Sequence, residues 1–112
     1  MSEKALKYLY GIKFAIDEIE SFFIVREKRF DYYSQDIILK RAIERDLEII
    51  GEAMNRILKE FPDFKVENAR RIIGLRNQII HGYDTVSDEN KWGIVMIHLP
   101  KLKEEVEQLI QV

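Results

Sequence analysis

Residues 36–62 read DIILKRAIERDLEIIGEAMNRILKEFP. Within them Leu39, Ile43, Leu47, Ile50, Met54, Ile57 and Phe61 recur at spacings of three and four. Apolar residues at that period form one stripe along an α-helix. The helix is expected from about Asp36 to Glu60, with Ser34 or Asp36 as its N-cap and Pro62 as its stop. Gly51 falls in its middle, where glycine costs about 1 kcal/mol relative to alanine. The expected use of such a glycine is the close approach of a neighbouring helix.

The flanks repeat the pattern. Ala5, Leu9, Ile12, Ile16, Ile19 and Phe23 predict a first helix from about Glu3 to Val25. Arg26 to Gln35 has no such period and reads as a connection. A third helix is expected from about Glu67 to His81, with Gly82 as the left-handed residue past its end. A fourth starts near Ser87, a plausible cap followed by Asp88 and Glu89. Trp92, Val95 or Met96, Leu99, Leu102, Val106 and Leu109 continue its stripe. Pro100 predicts a break near His98 and a fifth helix after it. No strand pattern or repeat is present. The expectation is a single all-α domain over residues 1–112, an antiparallel bundle of about five helices with the first two long.

Five glycines and two prolines in 112 residues suit long helices. With no cysteine there is no disulfide framework and no thiolate metal site. The first residues lack a basic segment followed by an apolar run, and no apolar stretch approaches the roughly 20 residues that span a bilayer. A cytoplasmic protein with no membrane partner is expected. The net charge of −2 excludes nucleic-acid binding by bulk electrostatics. A local basic stretch remains: residues 65–81 carry Lys65, Arg70, Arg71 and Arg76 against Glu67 alone.

That stretch runs into the octet Arg76-Asn77-Gln78-Ile79-Ile80-His81-Gly82-Tyr83. It combines a permanent cation, an amide, an imidazole that titrates near neutral pH and a phenol. At about 100° per residue, Arg76 points out of the apolar face that contains Ile72 and Ile79. An unpaired buried guanidinium is too costly. Arg76 therefore pairs with a carboxylate such as Glu44, Glu48 or Glu52, or it lines a cleft or subunit interface. Arg70, Gly74, Asn77 and His81 share another face, on which Gly74 leaves a bare patch. His81 sits in the last turn, where the helix dipole favours the imidazolium. It suits a general acid or base, or equally a simple cap for the last carbonyls. Arg76 and His81 lie about 140° apart on one regular helix and converge poorly. A two-fold dimer packed near Gly74 would bring two copies of each into one cleft.

The octet and its flanks resemble the HEPN superfamily, and within it the HepT-like toxins of prokaryotic toxin–antitoxin pairs. Their signature of Arg, four residues, His, any residue, Tyr is met by Arg76, His81 and Tyr83. Asn77 and Gly82 are also common there. The resemblance extends through Arg41–Arg45, Ile50–Ala53, Trp92–Val95 and Leu99–Leu102. It implies a helical homodimer with a composite cleft and a metal-independent endoribonuclease acting on RNA without a cofactor. In that family Arg and His are catalytic, here Arg76 and His81, and the polar Asn77 assists. It also implies a type VII system whose nucleotidyltransferase antitoxin adds AMP to the motif tyrosine, here Tyr83. Read as residues alone, Tyr83 could instead pack against the core near Trp92.

Two other classes fit parts of the chain. A non-catalytic helical module would use the motif only for nucleotide binding or dimerisation. A carboxylate-bridged metal bundle would use Glu44, Glu48 and Glu52, but it lacks the Glu-x-x-His pairs such sites need. Phe30, Tyr32 and Tyr33, beside Arg26, Lys28 and Arg29, could stack RNA bases or be buried under the first loop.

Overall fold

A computed structural model describes residues 2–64, 66, 68–81 and 87–111. Every regular element among them is helical: α1 (Glu3–Phe22), α2 (Phe30–Gln35), α3 (Ile37–Glu60), α4 (Ala69–His81), α5 (Asp88–Gly93) and α6 (Leu99–Gln111). A π-helical turn, Ile94–His98, joins α5 to α6.

Three helices begin where a short polar side chain takes up a free backbone N–H. Ser2 accepts from Ala5, Asp36 from Leu39 and Ser87 from Asn90, at 3.0–3.1 Å. Such caps typically contribute about 1 kcal/mol each. The stripe of α3 is buried from Leu39 to Ile57 and packs on Leu9, Ile12, Ile16 and Ile19 of α1. Each such side chain contributes roughly 1.5–3 kcal/mol on burial. The two helices are antiparallel: Lys4 at the start of α1 reaches Glu60 at the end of α3, 3.1 Å away. On the other flank of α1, Lys103 of α6 reaches Glu20 at 2.6 Å, so α6 also runs against it.

Two expectations change. Residues 30–35 are a helix, not part of an open connection. Six residues cannot hold a helix by themselves. Here Tyr33 is drawn wholly into the core, its ring 5.0 Å from that of Trp92 and 6.3 Å from that of Phe30. The break near His98 does not occur either, and the chain stays helical from Asp88 to Gln111. The Leu99 N–H donates to the Ile94 carbonyl, five residues back. Pro100 lacks an N–H, and its ring crowds the carbonyl four residues before it. The widened turn just upstream absorbs that misfit without ending the helix. With residues 88–111 taken as one rod, the described residues form five helices.

Charged groups also enter this interior. Lys91 of α5 is buried, with its ammonium 2.7 Å from Glu44 and 3.6 Å from Asp88, and Lys40 adds a 3.3 Å contact to Asp88. This network fastens the start of α5 to α3. Asp46 of α3 is buried as well, and one of its oxygens has no hydrogen-bond partner among the described residues. Burial, reinforced by the Glu18 carboxyl of α1, pushes the Asp46 carboxyl up to about 7. None of the described helices is long and apolar enough to cross a membrane.

Candidate active site

α4 lies across α3 at the one glycine of that helix. A Cβ on residue 51 would collide with Cβ and Cγ of Arg76 and stand 3.1 Å from the Ile72 carbonyl. The bare backbone at Gly51 therefore lets the aliphatic stem of Arg76 lie directly on α3. Ala69, Ile72 and Leu75 bury the same face of α4. The expected close approach at Gly51 is thus present, and its partner is the motif arginine.

From that seat the Arg76 guanidinium meets the next residue of α3. Its Nη2 donates to Glu52, and its Nη1 donates to Asn77 Oδ1 at 2.8 Å. Glu52 is shared, because its other oxygen accepts from Arg56 Nε at 3.1 Å. The Arg76 side chain is 23% exposed, so the charge is sheltered but still open to solvent. Its Nε is buried and has no hydrogen-bond partner among the described residues. The two readings of Arg76 are therefore both realised, since it pairs with a carboxylate and it lines a cleft.

The cleft has a volume of about 440 Å³. Ile49, Ala53 and Tyr8 give it apolar surface, and Arg45, Glu48, Glu52, Arg56 and Arg76 line the rest. Three guanidiniums against two carboxylates give the lining a formal excess of one cation. Tyr8, Arg45 and Arg56 were not singled out from the sequence. The spacing of Glu48, Glu52 and Arg56 along one face of α3 was the available signal.

The remaining motif residues stand as follows. Asn77 is exposed beside Arg76. His81 is the last residue of α4. Its side chain, and Gly82 and Tyr83 with it, lie outside the described residues. Gly74 is exposed, and a Cβ there would meet nothing within 4 Å. It opens onto a second cleft of about 430 Å³, where Arg70 of α4 faces Gly93, Ile97 and His98. Nδ1 of His98 is 3.3 Å from Asn68 Oδ1, and Asn68 donates to Glu105 at 2.6 Å.

The aromatic cluster divides. Tyr33 is fully buried and Phe30 half-buried, both against Trp92. Tyr32 stays exposed under the Arg29 guanidinium, 4.3 Å from its ring centre. Glu44, Glu48 and Glu52 of α3 each face cations: Glu44 meets Arg41 and Lys91, Glu48 meets Arg45, and Glu52 meets Arg56 and Arg76.

Residues 12–109 match the family model described as "Ribonuclease HepT-like". A protein of Thermococcus cleftensis named "Probable ribonuclease HepT" is 36% identical over 103 residues, covering 91% of this chain and 92% of its own. Two other relatives are each named a "Putative RNase". One, from Methanocaldococcus jannaschii, is 33% identical over 110 residues, covering 96% of this chain and 98% of its own. The other, from Caldanaerobacter subterraneus subsp. tengcongensis, is 34% identical over 83 residues, covering 73% and 74%. No solved structure gives a significant match. With its helical fold and with nearly its whole length matched, the chain belongs to the HepT-like ribonuclease family of the HEPN superfamily.

Proposed function

We propose that this chain is a metal-independent endoribonuclease and the toxin half of a type VII toxin–antitoxin pair. The observation that carries the reading is Arg76, a sheltered but solvent-reachable guanidinium at the wall of a cleft, five residues before His81 on the same helix. A guanidinium has five N–H donors, and Glu52 and Asn77 each take one from Arg76. The outer edge is suited to phosphate oxygens.

In this reading a neutral His81 imidazole takes the proton from an RNA 2′-hydroxyl. The oxygen attacks the adjacent phosphorus while the bond to the 5′ oxygen breaks. A protonated His81 from a second copy gives that leaving oxygen its proton. Arg76 neutralises the charge that builds on the phosphoryl oxygens. The products are a 2′,3′-cyclic phosphate and a 5′-hydroxyl. Two copies of the chain, packed near the bare Gly74, supply both imidazoles. Tyr83, two residues after His81, is the acceptor of AMP from a partner nucleotidyltransferase. The added phosphodiesters then compete with RNA for Arg76.

A ribonuclease assay on the purified chain tests this. Arg76→Ala and His81→Ala should each abolish cleavage and growth inhibition while keeping the helical content. An active monomer by light scattering would contradict the shared cleft.

The Glu52 ion pair also favours a second reading, in which Arg76 only fastens α4 to α3. On that reading Arg76→Ala loses activity only in proportion to its loss of stability.

A further inference from the structure

Glu52 is the one carboxylate that touches Arg76 among the described residues, and it does so while held from its other side. Its Oε1 accepts from Arg56 Nε at 3.1 Å, and its Oε2 accepts from Arg76 Nη2. The stem of Arg76 is fixed independently by contact with the backbone of Gly51, the residue just before Glu52. On the far side the guanidinium is tied to Asn77. A flexible arginine is thereby held at three points on its length, and two of them belong to the dipeptide Gly51-Glu52.

We propose that Glu52 is a positioning residue that aims the Arg76 guanidinium at the phosphoryl group of an RNA strand lying in the Tyr8–Arg45–Arg56 cleft. The inference rests on Arg76 being the group that meets that phosphate. An arginine free to sample its rotamers loses side-chain entropy when a transition state immobilises it. The ion pair with Glu52 removes that freedom in the folded protein, before substrate arrives. A guanidinium already aimed at the developing charge needs no reorganisation during the reaction. Arg56 matters to the same end, because it prevents Glu52 from swinging with Arg76. Glu52 takes no part in proton transfer. What it supplies is an acceptor oxygen at a fixed place.

That distinction sets the experiment. Steady-state cleavage of a short single-stranded RNA carrying a fluorophore and a quencher is measured for Glu52→Ala, Glu52→Gln, Arg76→Ala and the wild type. Thermal melting is recorded for each. Glu52→Ala should lower kcat by roughly 10- to 100-fold, in line with loss of a preorganised electrostatic contact, with a smaller change in KM. Glu52→Gln keeps an oxygen in the same place and should restore kcat to within a few-fold of the wild type. Its KM should not rise, because a negative charge beside the RNA path is gone. A merely structural role would move melting temperature and kcat together and would not separate Gln from Ala. If Arg76→Ala is inactive but Glu52→Ala has the kcat of the wild type, the positioning role is overturned and the reading of Arg76 survives. If Gln is as inactive as Ala, the carboxylate acts in the chemistry itself and positioning is again overturned. If Arg76→Ala is fully active, the reading of the site fails and this inference fails with it.

Discussion

The stem of Arg76 rests on the backbone of Gly51, and no side chain larger than hydrogen fits between them. This single contact sets how α4 crosses α3 and where the motif begins. It also explains a glycine in the middle of a 24-residue helix, where propensity alone opposes it.

Gly51→Ala should therefore cost about 1–3 kcal/mol, as expected for an added methyl in a packed contact. It should also displace Arg76 and reduce RNA cleavage. Gly11 is the internal control, since it is also within a helix but a Cβ there meets nothing within 4 Å. Gly11→Ala should raise stability by about 0.5–1 kcal/mol with activity unchanged. Urea denaturation of the two variants checks this, and equal effects at both positions would contradict the close approach.

Asp46 gives the fold a pH dependence. Its carboxyl is raised to about 7 by burial and by Glu18, whereas an unfolded aspartate titrates near about 3.9. The folded state thus holds the extra proton between those values. The associated stability is fully present below about pH 4 and is lost as pH rises through about 7. Asp46→Asn keeps the shape and cannot ionise. It should be more stable than the wild type at pH 8, by up to about 4 kcal/mol, which is what a carboxyl raised to about 7 is worth. The advantage should shrink or reverse at pH 5. A difference that does not vary with pH would mean that Asp46 stays ionised.

Lys91 is buried between Glu44 and Asp88 and ties α5 to α3. Removing one member of such a group leaves an uncompensated charge and costs about 3 kcal/mol. Lys91→Ala should show that loss in thermal melts. The double variant Lys91→Met, Glu44→Gln should recover much of it, because both charges then leave together. If the double variant is no better than the single one, the pair is not coupled as its geometry requires.

Much of the fold is legible in the periods of the chain, and the exceptions have physical causes. The stripes of α1 and α3 are long enough to average over local noise, and their residues from Ala5 to Ile19 and from Leu39 to Ile57 are buried as their spacing requires. The cap at Ser87 follows from side-chain chemistry, whereas the choice of Asp36 over Ser34 is made only by where α2 ends. α2 was not legible, because a helix of six residues shows no period and is held by where Tyr33 packs. The π turn is not legible, because a proline signals only its own misfit. Whether a helix ends there or widens depends on its neighbours.

The site was legible in part. Sequence geometry placed Arg76 on an apolar face and named Glu52 among its possible partners. It could not choose between Glu44, Glu48 and Glu52, since that depends on how far α4 slides along α3. Gly51 settles the slide by admitting Arg76 beside Glu52. Asp46 carries one sequence signal of its burial, its place three residues after Ile43 and next to Leu47 at the edge of the apolar stripe.

For Tyr83, incubation with the cognate nucleotidyltransferase and ATP should raise the mass of the chain by whole AMP units. The increment should be absent in Tyr83→Phe, which should remain toxic and escape silencing by modification. AMP found on another residue would contradict the proposed switch.

Whether Arg76 and His81 cleave RNA without a metal is tested by the chemistry of the RNA ends. The chain is incubated with single-stranded RNA in excess EDTA, and the fragments are analysed by mass spectrometry. Fragments ending in 2′,3′-cyclic phosphate and starting with 5′-hydroxyl are expected, and none from Arg76→Ala or His81→Ala. Cleavage that stops in EDTA and returns with a divalent ion, or that persists in His81→Ala, would contradict metal-independent cleavage by these two residues.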